Sequence, residues 1–224
     1  RLLKLFKKYD IPVTIFAVAM ALERHPDVAK AFVEAGHEIA SHGLRWINYQ
    51  NIDKQTERKH MQQAIEIIQT LTGKKPKGWY TGRTSPNTAA LVVENGNFLY
   101  DADDYSDDLP FYSIKEGKPQ LIVPYTLDVN DMRFAAVQGF NAGDQFYNYL
   151  KDAFDTLYEE GDPQGENAPK MMSIGLHCRL IGRPGRIKAL ARFLEYARSH
   201  DQVWFATREQ IAEHWLKTHP YKKA

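Results

Sequence analysis

The sequence predicts an α/β fold, and within that class it favours a distorted (β/α) barrel of about seven parallel strands. Short apolar runs, rich in β-branched and aromatic residues, alternate with amphipathic segments of helical period. This alternation requires a parallel sheet whose strands are joined by right-handed helical crossovers. Because six or seven short strands suit a small barrel, the barrel is preferred, and an open sheet is the alternative.

The predicted strands are short apolar runs that end at a breaker or at a polar residue. They are Pro12–Val18, His37–His42, Lys77–Tyr80, Phe98–Asp101, Leu121–Val123, Met171–Cys178 and Val203–Ala206. The predicted helices repeat apolar residues three and four positions apart. They are residues 1–11, Pro26–Ala35, Thr56–Leu71, Ser85 or Asn87 to Glu94, Asn141–Glu160, Gly185–Ser199 and Arg208–Lys217.

The composition indicates one folded domain over residues 1–224, with 43% hydrophobic and 25% charged residues. The 29 basic and 28 acidic residues give a net charge of +1 without any block of like charge, so nucleic acids and anionic membranes are not expected as partners. The single cysteine, Cys178, excludes an internal disulfide and fits a reducing compartment. No apolar run is long enough to span a bilayer, and we expect a cytoplasmic protein. Since the chain opens at Arg1 within a helical pattern, without Met or a cap, we expect a partial sequence.

The predicted strand His37–His42 stops at the breaker Gly43. Side chains alternate along a strand, so Glu38 and His42 share one face and His37 lies on the other. His42 therefore stands at the carboxyl end of its strand, where parallel α/β folds place their chemistry. Taken alone, His42 is better explained as a buried histidine that is hydrogen-bonded to a loop, and only the other polar residues of the chain favour a functional role.

Polar side chains follow the ends of four predicted strands: His42, Arg83, Asp101, Asp103 and His177. Because the carboxyl ends of parallel strands lie at one face of a barrel, we expect these side chains to converge. Together they form an acid–base set, in which histidine exchanges protons near neutral pH and a carboxylate orients it. The arginine stabilises a developing oxyanion or holds a carboxyl or ureido oxygen.

His177 is the strongest single candidate in this set. On its predicted strand it shares a face with two small residues, Ser173 and Gly175, which leaves room for a ligand. The alternative is a structural histidine beneath a loop. The neighbouring Cys178 points to the opposite face, and we expect it to be inert core.

The spacing of the possible ligands disfavours a metal site. His37 and His42 face opposite ways on one strand, whereas a catalytic zinc normally needs three protein ligands. The acidic residues after Asp101 lack the glycine and the terminal glutamate of an EF-hand loop. The turn Gly182–Arg186 offers helix amides and two arginines, including Arg183, to an anion, but solvated arginines at a helix start explain it equally well.

These residues, in this order, resemble the motifs of the polysaccharide deacetylase, or NodB-homology, family over nearly the whole chain. GHEIASHG is similar to the second motif of that family, RTSP to the third, YDADDY to the fourth and SIGLHC to the fifth. The resemblance implies a distorted (β/α) barrel that hydrolyses N- or O-acetyl groups with a divalent metal. In the family an aspartate and the two histidines of an HxxxH motif hold that metal.

The sequence departs from the family pattern in two places. Trp46 stands four residues after His42, where the second histidine ligand is expected, and the first motif with its two aspartates would lie before Arg1. A first strand is therefore expected to be missing. The segments SHGLRWINYQ, WYTGRTSPNT, DDYSDDLPFY and LHCRLIGRPGR resemble the branch typed as metal-independent allantoinase. That branch opens the hydantoin ring of allantoin to give allantoate in ureide breakdown.

The resemblance also implies roles for single residues. His42 would contact the substrate or the attacking water, and Arg83 would bind or orient the carboxylate of the absent motif. Asp101 or Asp103 would tune His177, which would protonate the leaving nitrogen. Trp46 would fill the space of the missing ligand, although packing under the site explains it equally well. The predicted substrate-binding residues are Glu38, Trp46, Tyr80 and Arg183, and no metal ligand is predicted.

The expected function is hydrolysis of a non-peptide C–N bond in a small-molecule ureide, without a cofactor. The family resemblance suggests a homo-oligomer. One alternative is a deacetylase of amino-sugar polysaccharides that depends on zinc or another divalent metal. Another is an inactive binding or scaffold protein, because the motif that carries the general base is absent from this sequence.

Overall fold

The computed structural model describes residues 1–223, which divide into two compact units. The first unit comprises residues 1–11, 105–109 and 125–205. The second comprises residues 12–104, 110–124 and the stretch from residue 206 onward. The expectation of a single catalytic domain over residues 1–224 stays a prediction.

The second unit contains a six-stranded sheet. Its strands are β1 Thr14–Ala17, β2 Glu38–Ser41, β3 Gly78–Trp79, β4 Tyr100–Asp101, β5 Phe111–Lys115 and β6 Lys118–Ile122. They lie in the order β1-β2-β3-β4-β6-β5, and all neighbours run parallel except β5, which is antiparallel to β6. The α/β class with a mostly parallel sheet is therefore confirmed.

The structure has eight α-helices within residues 1–223. They are α1 Leu2–Tyr9, α2 Ala19–Arg24, α3 Pro26–Glu34, α4 Lys54–Thr72, α5 Thr88–Asn95, α6 Gly143–Glu160, α7 Pro184–Arg198 and α8 Arg208–Thr218. The first unit holds α1, α6, α7 and a 3₁₀ helix over Asp131–Ala135, and the second unit holds the other helices. None of the helices in this part of the chain is long and apolar enough to cross a lipid bilayer.

Helix α4 follows its predicted period, and both of its ends have local causes. The Asp53 carboxylate accepts the N–H groups of Gln55 at 3.1 Å and Thr56 at 2.9 Å, so the helix begins before its predicted start. Gly73 ends it with a φ of 77°. The buried stripe packs against β3 and α5 in a cluster of six residues: Met61, Ile65, Trp79, Leu91, Val92 and Phe98. Each large apolar side chain buried there contributes about 1.5–3 kcal/mol, so the cluster fixes β3 and the loop that follows it.

The hairpin β5–β6 is absent from the sequence-based prediction, which placed only a strand at Leu121–Val123. Its turn consists of Glu116 and Gly117, with φ values of 49° and 69°. Two central residues with positive φ match the twist of a two-residue hairpin. No alternating pattern marks this run, because Lys115, Glu116 and Lys118 interrupt it at the turn and Pro119 lies within β6.

Two predicted strands, Met171–Cys178 and Val203–Ala206, are wrong. In the first, only Gly175 makes a β-bridge, which is parallel to Asn130. The second forms no ladder, and Trp204 is 57% exposed, unlike an aromatic residue in a core strand. An apolar, β-branched run forms a strand only where a partner strand runs alongside it, and composition alone does not reveal that partner.

In the first unit, helices α6 and α7 pack through their apolar faces. The ring of Phe154 lies edge-on against that of Phe193, with 6.0 Å between the centroids. The guanidinium of Arg133 lies over the rings of Phe140 at 4.7 Å and Tyr149 at 4.4 Å. Arg133 belongs to the 3₁₀ helix and Tyr149 to α6, so these contacts connect the two helices.

Candidate active site

The first unit contains a histidine–aspartate pair. One carboxylate oxygen of Asp131 lies 2.7 Å from Nδ1 of His177, and the other accepts the N–H groups of His177 at 2.8 Å and Ile181 at 3.1 Å. The Asp131 side chain is fully buried, whereas 25% of the His177 side chain is exposed. Two backbone N–H groups donate to the Asp131 side chain, so it is a carboxylate that can only accept, and it also accepts a hydrogen bond from Nδ1 of the ring. Nδ1 then carries the ring proton, and Nε2 is the nitrogen that can exchange protons.

A single bridge between distant segments positions this pair. Gly175 donates its N–H to Val129 at 3.0 Å, and its carbonyl accepts the N–H of Asp131 at 2.9 Å. A β-carbon at Gly175 would lie 2.3 Å from Nδ2 of Asn130, so only glycine permits this approach. The space beside Gly175 that the sequence analysis left for a ligand is therefore filled by the Asn130 amide.

Asp131 is the carboxylate beside His177, where the sequence analysis expected Asp101 or Asp103. Sequence reasoning missed it because Asp131 lies 46 residues from His177 in a segment without helical or strand period. The available signal was a local one. Asn130 accepts the N–H of Met132 at 2.9 Å and caps the 3₁₀ helix, so an Asn–Asp pair after an apolar residue marks the start of this short helix.

The turn Gly182–Arg186 opens α7, as predicted. Arg183, a predicted substrate-binding residue, is exposed, and its Nε donates to the carbonyl of Arg179 at 3.3 Å. The guanidinium of Arg186 instead lies 4.5 Å from the ring centroid of Phe134. Cys178, expected to be core, is exposed.

In the second unit, His42 directly follows β2, as predicted. Its N–H donates to the carbonyl of Ala17 at 2.8 Å and prolongs the pairing of β1 with β2. Its ring lies edge-on to Tyr80, with 4.9 Å between the centroids, and Tyr80 in turn lies 5.0 Å from the ring of Phe16. Tyr80 is only 8% exposed. Tyr80, a predicted substrate-binding residue, therefore packs against the half-buried imidazole of His42.

Two carboxylates lie at the end of β4. Asp103 accepts the N–H groups of Thr81 at 2.9 Å and Gly82 at 2.6 Å, and Asp101 accepts the N–H of Asp103 at 3.1 Å. Burial, followed by the charge of Asp103, raises the pKa of Asp101 to about 8. Burial also raises the pKa of Asp103 to about 6, against the lowering effect of its N–H donors. This pair therefore retains a proton near neutral pH.

The variant Asp101→Asn is expected to gain stability over the wild type as the pH rises. The folded-state pKa of Asp101 lies above its ordinary value of 3.8, so the folded protein binds more protons than the unfolded chain. The wild-type free energy of unfolding therefore falls between about pH 4 and pH 8, by an amount of the order of a few kcal/mol. The neutral amide keeps an acceptor for the N–H of Asp103 and avoids that loss.

Urea unfolding at pH 4, 6 and 8 measures the effect on Asp101→Asn. The exposed carboxyl of Asp108 supplies the control, because Asp108→Asn should follow the pH dependence of the wild type. Parallel pH profiles for Asp101→Asn and the wild type would contradict the expected shift.

Arg83 and Trp46 stack on each other. The guanidinium carbon of Arg83 lies 4.1 Å from the ring centroid of Trp46, and the indole is 52% exposed. Stacking engages the face of the guanidinium and leaves the N–H groups along its edge for a carbonyl or carboxylate oxygen. The structure thus places Trp46 beside Arg83.

Glu38, a predicted substrate-binding residue, opens β2 at the end opposite to His42. Its Oε1 accepts the hydroxyl of Tyr100 at 2.7 Å, and its Oε2 accepts the hydroxyl of Thr14 at 2.5 Å and the N–H of Glu209 at 2.9 Å. Glu38 is 8% exposed. Both oxygens are engaged in joining β1, β4 and the start of α8, so we assign Glu38 a structural role in place of substrate binding.

The residues present do not fit the divalent metal that the resemblance implies. Within residues 1–223, no group of three or more His, Cys, Asp or Glu side chains could hold a metal ion. Four residues after His42 stands Trp46, whose indole N–H is a donor and cannot act as a ligand.

The structure groups the predicted residues in small sets. The sets of the second unit are His42 with Tyr80, Arg83 with Trp46, and Asp101 with Asp103. In the first unit, His177 lies beside Asp131. The expected convergence of His177 with His42 and Arg83 stays a prediction.

Comparison with known proteins agrees with this fold and with these motifs. The sequence profile of the polysaccharide deacetylase family matches residues 1–96. A Schizosaccharomyces pombe protein assigned to the polysaccharide deacetylases is 47% identical over 238 residues, and the match covers 99% of this chain and 73% of that relative.

Two solved structures are similar over almost the whole chain. A crystal structure of PuuE allantoinase has a TM-score of 0.95 and 64% identity, and covers 99% of this chain and 72% of that one. A Pseudomonas aeruginosa PAO1 protein assigned to the polysaccharide deacetylases has a TM-score of 0.94 and 62% identity, with 99% and 73% covered. These relatives support a hydrolase of the NodB type that acts on carbon–nitrogen bonds, and they are consistent with the allantoinase branch. On this sequence identity and coverage, the chain belongs to the polysaccharide deacetylase family.

Proposed function

We propose that this protein opens the hydantoin ring of allantoin to give allantoate, by hydrolysing a ring C–N bond without a metal ion. The observation that carries the proposal is the pair of His177 and Asp131, in which a buried carboxylate orients a partly exposed imidazole. The 64% identity with the PuuE allantoinase structure supports the choice of substrate.

The reaction consumes one water molecule. The water oxygen forms a bond to a ring carbonyl carbon as the water passes one proton to Nε2 of His177, and the carbonyl oxygen takes up negative charge in the tetrahedral intermediate. The intermediate then collapses, the ring C–N bond breaks, and the leaving nitrogen takes a proton. The carboxylic acid that forms ionises at neutral pH, so each turnover releases one proton.

In this proposal, His177 supplies the proton that the leaving nitrogen needs. The ring donates from Nε2 while Asp131, 2.7 Å from Nδ1, keeps the imidazole in one orientation and balances its positive charge. Arg83 binds a ureido or carbonyl oxygen through its N–H edge, because its face is occupied by Trp46. His42 contacts the substrate or the attacking water.

The proposal is tested by incubating the purified protein with allantoin after treatment with a chelator, in metal-free buffer. We expect allantoate to form, measured by chromatography with mass detection. The variant His177→Gln, purified in the same way, shows how much activity comes from contaminating host enzymes. Failure of the wild-type protein to form allantoate above that background would contradict the proposal.

A second candidate function is deacetylation of an amino-sugar polymer, which is favoured by membership of the polysaccharide deacetylase family. Its test is the release of acetate from N-acetylglucosamine oligomers, with and without added zinc. Release of acetate that depends on zinc, together with no ring opening of allantoin, would favour this second function.

A further inference from the structure

We infer that Glu57 is a positioning residue for Arg83, because its buried carboxylate fixes the loop that carries the guanidinium. This inference rests on the proposed function in so far as Arg83 binds the substrate. Glu57 lies in the first turn of α4 and is only 2% exposed. It shares its helix face with the apolar side chains of Met61, Ala64, Ile65 and Ile68.

A carboxylate in such a place requires strong partners, since an unpaired buried charge is strongly destabilising. The partners of Glu57 are two hydroxyl groups. Ser85 donates to Oε2 at 2.5 Å, and Thr88 donates to Oε1. Both oxygens are thus held by the segment that leads from the Arg83 loop into α5.

The same hydroxyl groups also accept hydrogen bonds from the backbone. Ser85 Oγ accepts the N–H of Asn87 at 2.8 Å, and Thr88 Oγ1 accepts the N–H of Ser85 at 2.9 Å. Because each hydroxyl accepts from the main chain and donates to Glu57, the carboxylate determines the direction of both hydroxyl groups. The path of the backbone from residue 85 to residue 88 is therefore specified by one buried side chain.

Arg83 lies between this anchor and a second one. On its amino side, Arg83 donates its N–H to Thr81 Oγ1 at 3.4 Å, and Thr81 is held by Asp103. On its carboxyl side, Ser85 is held by Glu57. The carbonyl of Arg83 accepts the N–H of Tyr49 at 3.0 Å. Without Glu57, the carboxyl side of the loop loses its side-chain anchor and keeps the hydrogen bond from Tyr49, so the guanidinium is held less firmly over the indole.

Stability alone does not explain a carboxylate at this position. An apolar residue of similar volume often stabilises a core as well as a buried ionic group does. What the apolar residue cannot provide is the paired acceptor that fixes Ser85 and Thr88 in one arrangement. The geometry of the loop is therefore the property that Glu57 contributes.

The test compares Glu57→Gln with Glu94→Gln. Glu94 is a suitable control because it is a half-exposed carboxylate of α5 that pairs at 2.8 Å with Arg58, the α4 residue next to Glu57. We expect Glu57→Gln to raise KM for allantoin about 10-fold with kcat changed by less than about 3-fold, the pattern of lost uniform binding. Glu94→Gln should leave both constants unchanged. In an Arg83→Ala background, Glu57→Gln should have no further effect on KM.

A second measurement does not depend on activity. The rate at which phenylglyoxal modifies Arg83, followed by peptide mass mapping, should rise several-fold in Glu57→Gln and stay at the wild-type value in Glu94→Gln. If Glu57→Gln does not fold, Ser85→Ala removes one of the two anchors and should show the same change in labelling. Unchanged labelling of Arg83, or additive effects of Glu57→Gln and Arg83→Ala on KM, would overturn the inference. Faster labelling in a protein that does not open allantoin would overturn the proposed function alone.

Discussion

Replacing His177 by glutamine is expected to lower kcat for ring opening by about 100-fold or more, the usual contribution of a general acid. Glutamine keeps a polar side chain of similar reach but cannot carry a proton to the leaving nitrogen. The N–H of residue 177 still donates to Asp131, so the fold around the pair should be retained. Steady-state kinetics with allantoin, together with the thermal midpoint of unfolding, separate a chemical defect from a folding defect.

The variant Asp131→Asn should reduce kcat by at least about 10-fold for a related reason. The amide oxygen can still accept the N–H groups of His177 and Ile181, which turns the amide NH₂ toward Nδ1 of the ring. Nδ1 then becomes an acceptor, and the neutral ring is held in the tautomer that already carries its only proton on Nε2, so Nε2 cannot take the proton of the attacking water. The control is His200→Gln, which changes a histidine of the same unit whose Nδ1 lies 2.9 Å from the carbonyl of Tyr196. For the preceding prediction, equal kcat values for the wild type and His177→Gln would refute the role of His177 as general acid.

Replacing Glu38 by alanine is expected to be the most destabilising of the changes considered. The hydroxyl groups of Thr14 and Tyr100 and the N–H of Glu209 would lose their common acceptor. A buried donor left without a partner costs about 1–3 kcal/mol, so the loss of an acceptor shared by three donors should lower the free energy of unfolding by about 3 kcal/mol or more. Urea unfolding monitored by circular dichroism measures the loss.

The matched control for this change is Glu34→Ala. Glu34 pairs with Lys30 at 3.8 Å on the surface, and its side chain is 66% exposed. A pair of this kind contributes at most about 1 kcal/mol. If both alanine variants lost the same small amount of stability, the structural role of Glu38 would be wrong, and its predicted role in substrate binding would regain support.

The parts of the fold that could be predicted are those with a strong local pattern. Helix α4 has five turns of regular apolar period, and the structure places it within two residues of its predicted ends. The parallel strands were recognised because apolar runs alternate with such helices. The hairpin β5–β6 was missed because Lys115, Glu116 and Lys118 interrupt its apolar pattern at the turn and Pro119 lies within β6. Met171–Cys178 was misread because a strand depends on a partner strand that no local pattern reveals.

The candidate site shows the same division. His42 and His177 could be identified because each follows a short apolar run at a point where the chain turns. Asp131 and Glu57 could not be identified with them, because each acts through a partner that is distant in sequence. A signal for Glu57 was nevertheless present, since a carboxylate on the apolar stripe of α4 requires buried donors, and Ser85 and Thr88 are spaced to provide them.

The second unit is assembled from three separate stretches of chain, the last of which begins at Ala206. From that stretch, the guanidinium of Arg208 donates to the carbonyls of Val123 at 2.7 Å and Pro124 at 2.9 Å. During translation, the strands therefore leave the ribosome well before the helix that completes their hydrogen bonding. Until α8 emerges, the carbonyl groups of Val123 and Pro124, just after β6, lack these donors, so the second unit completes its hydrogen bonding only late in synthesis.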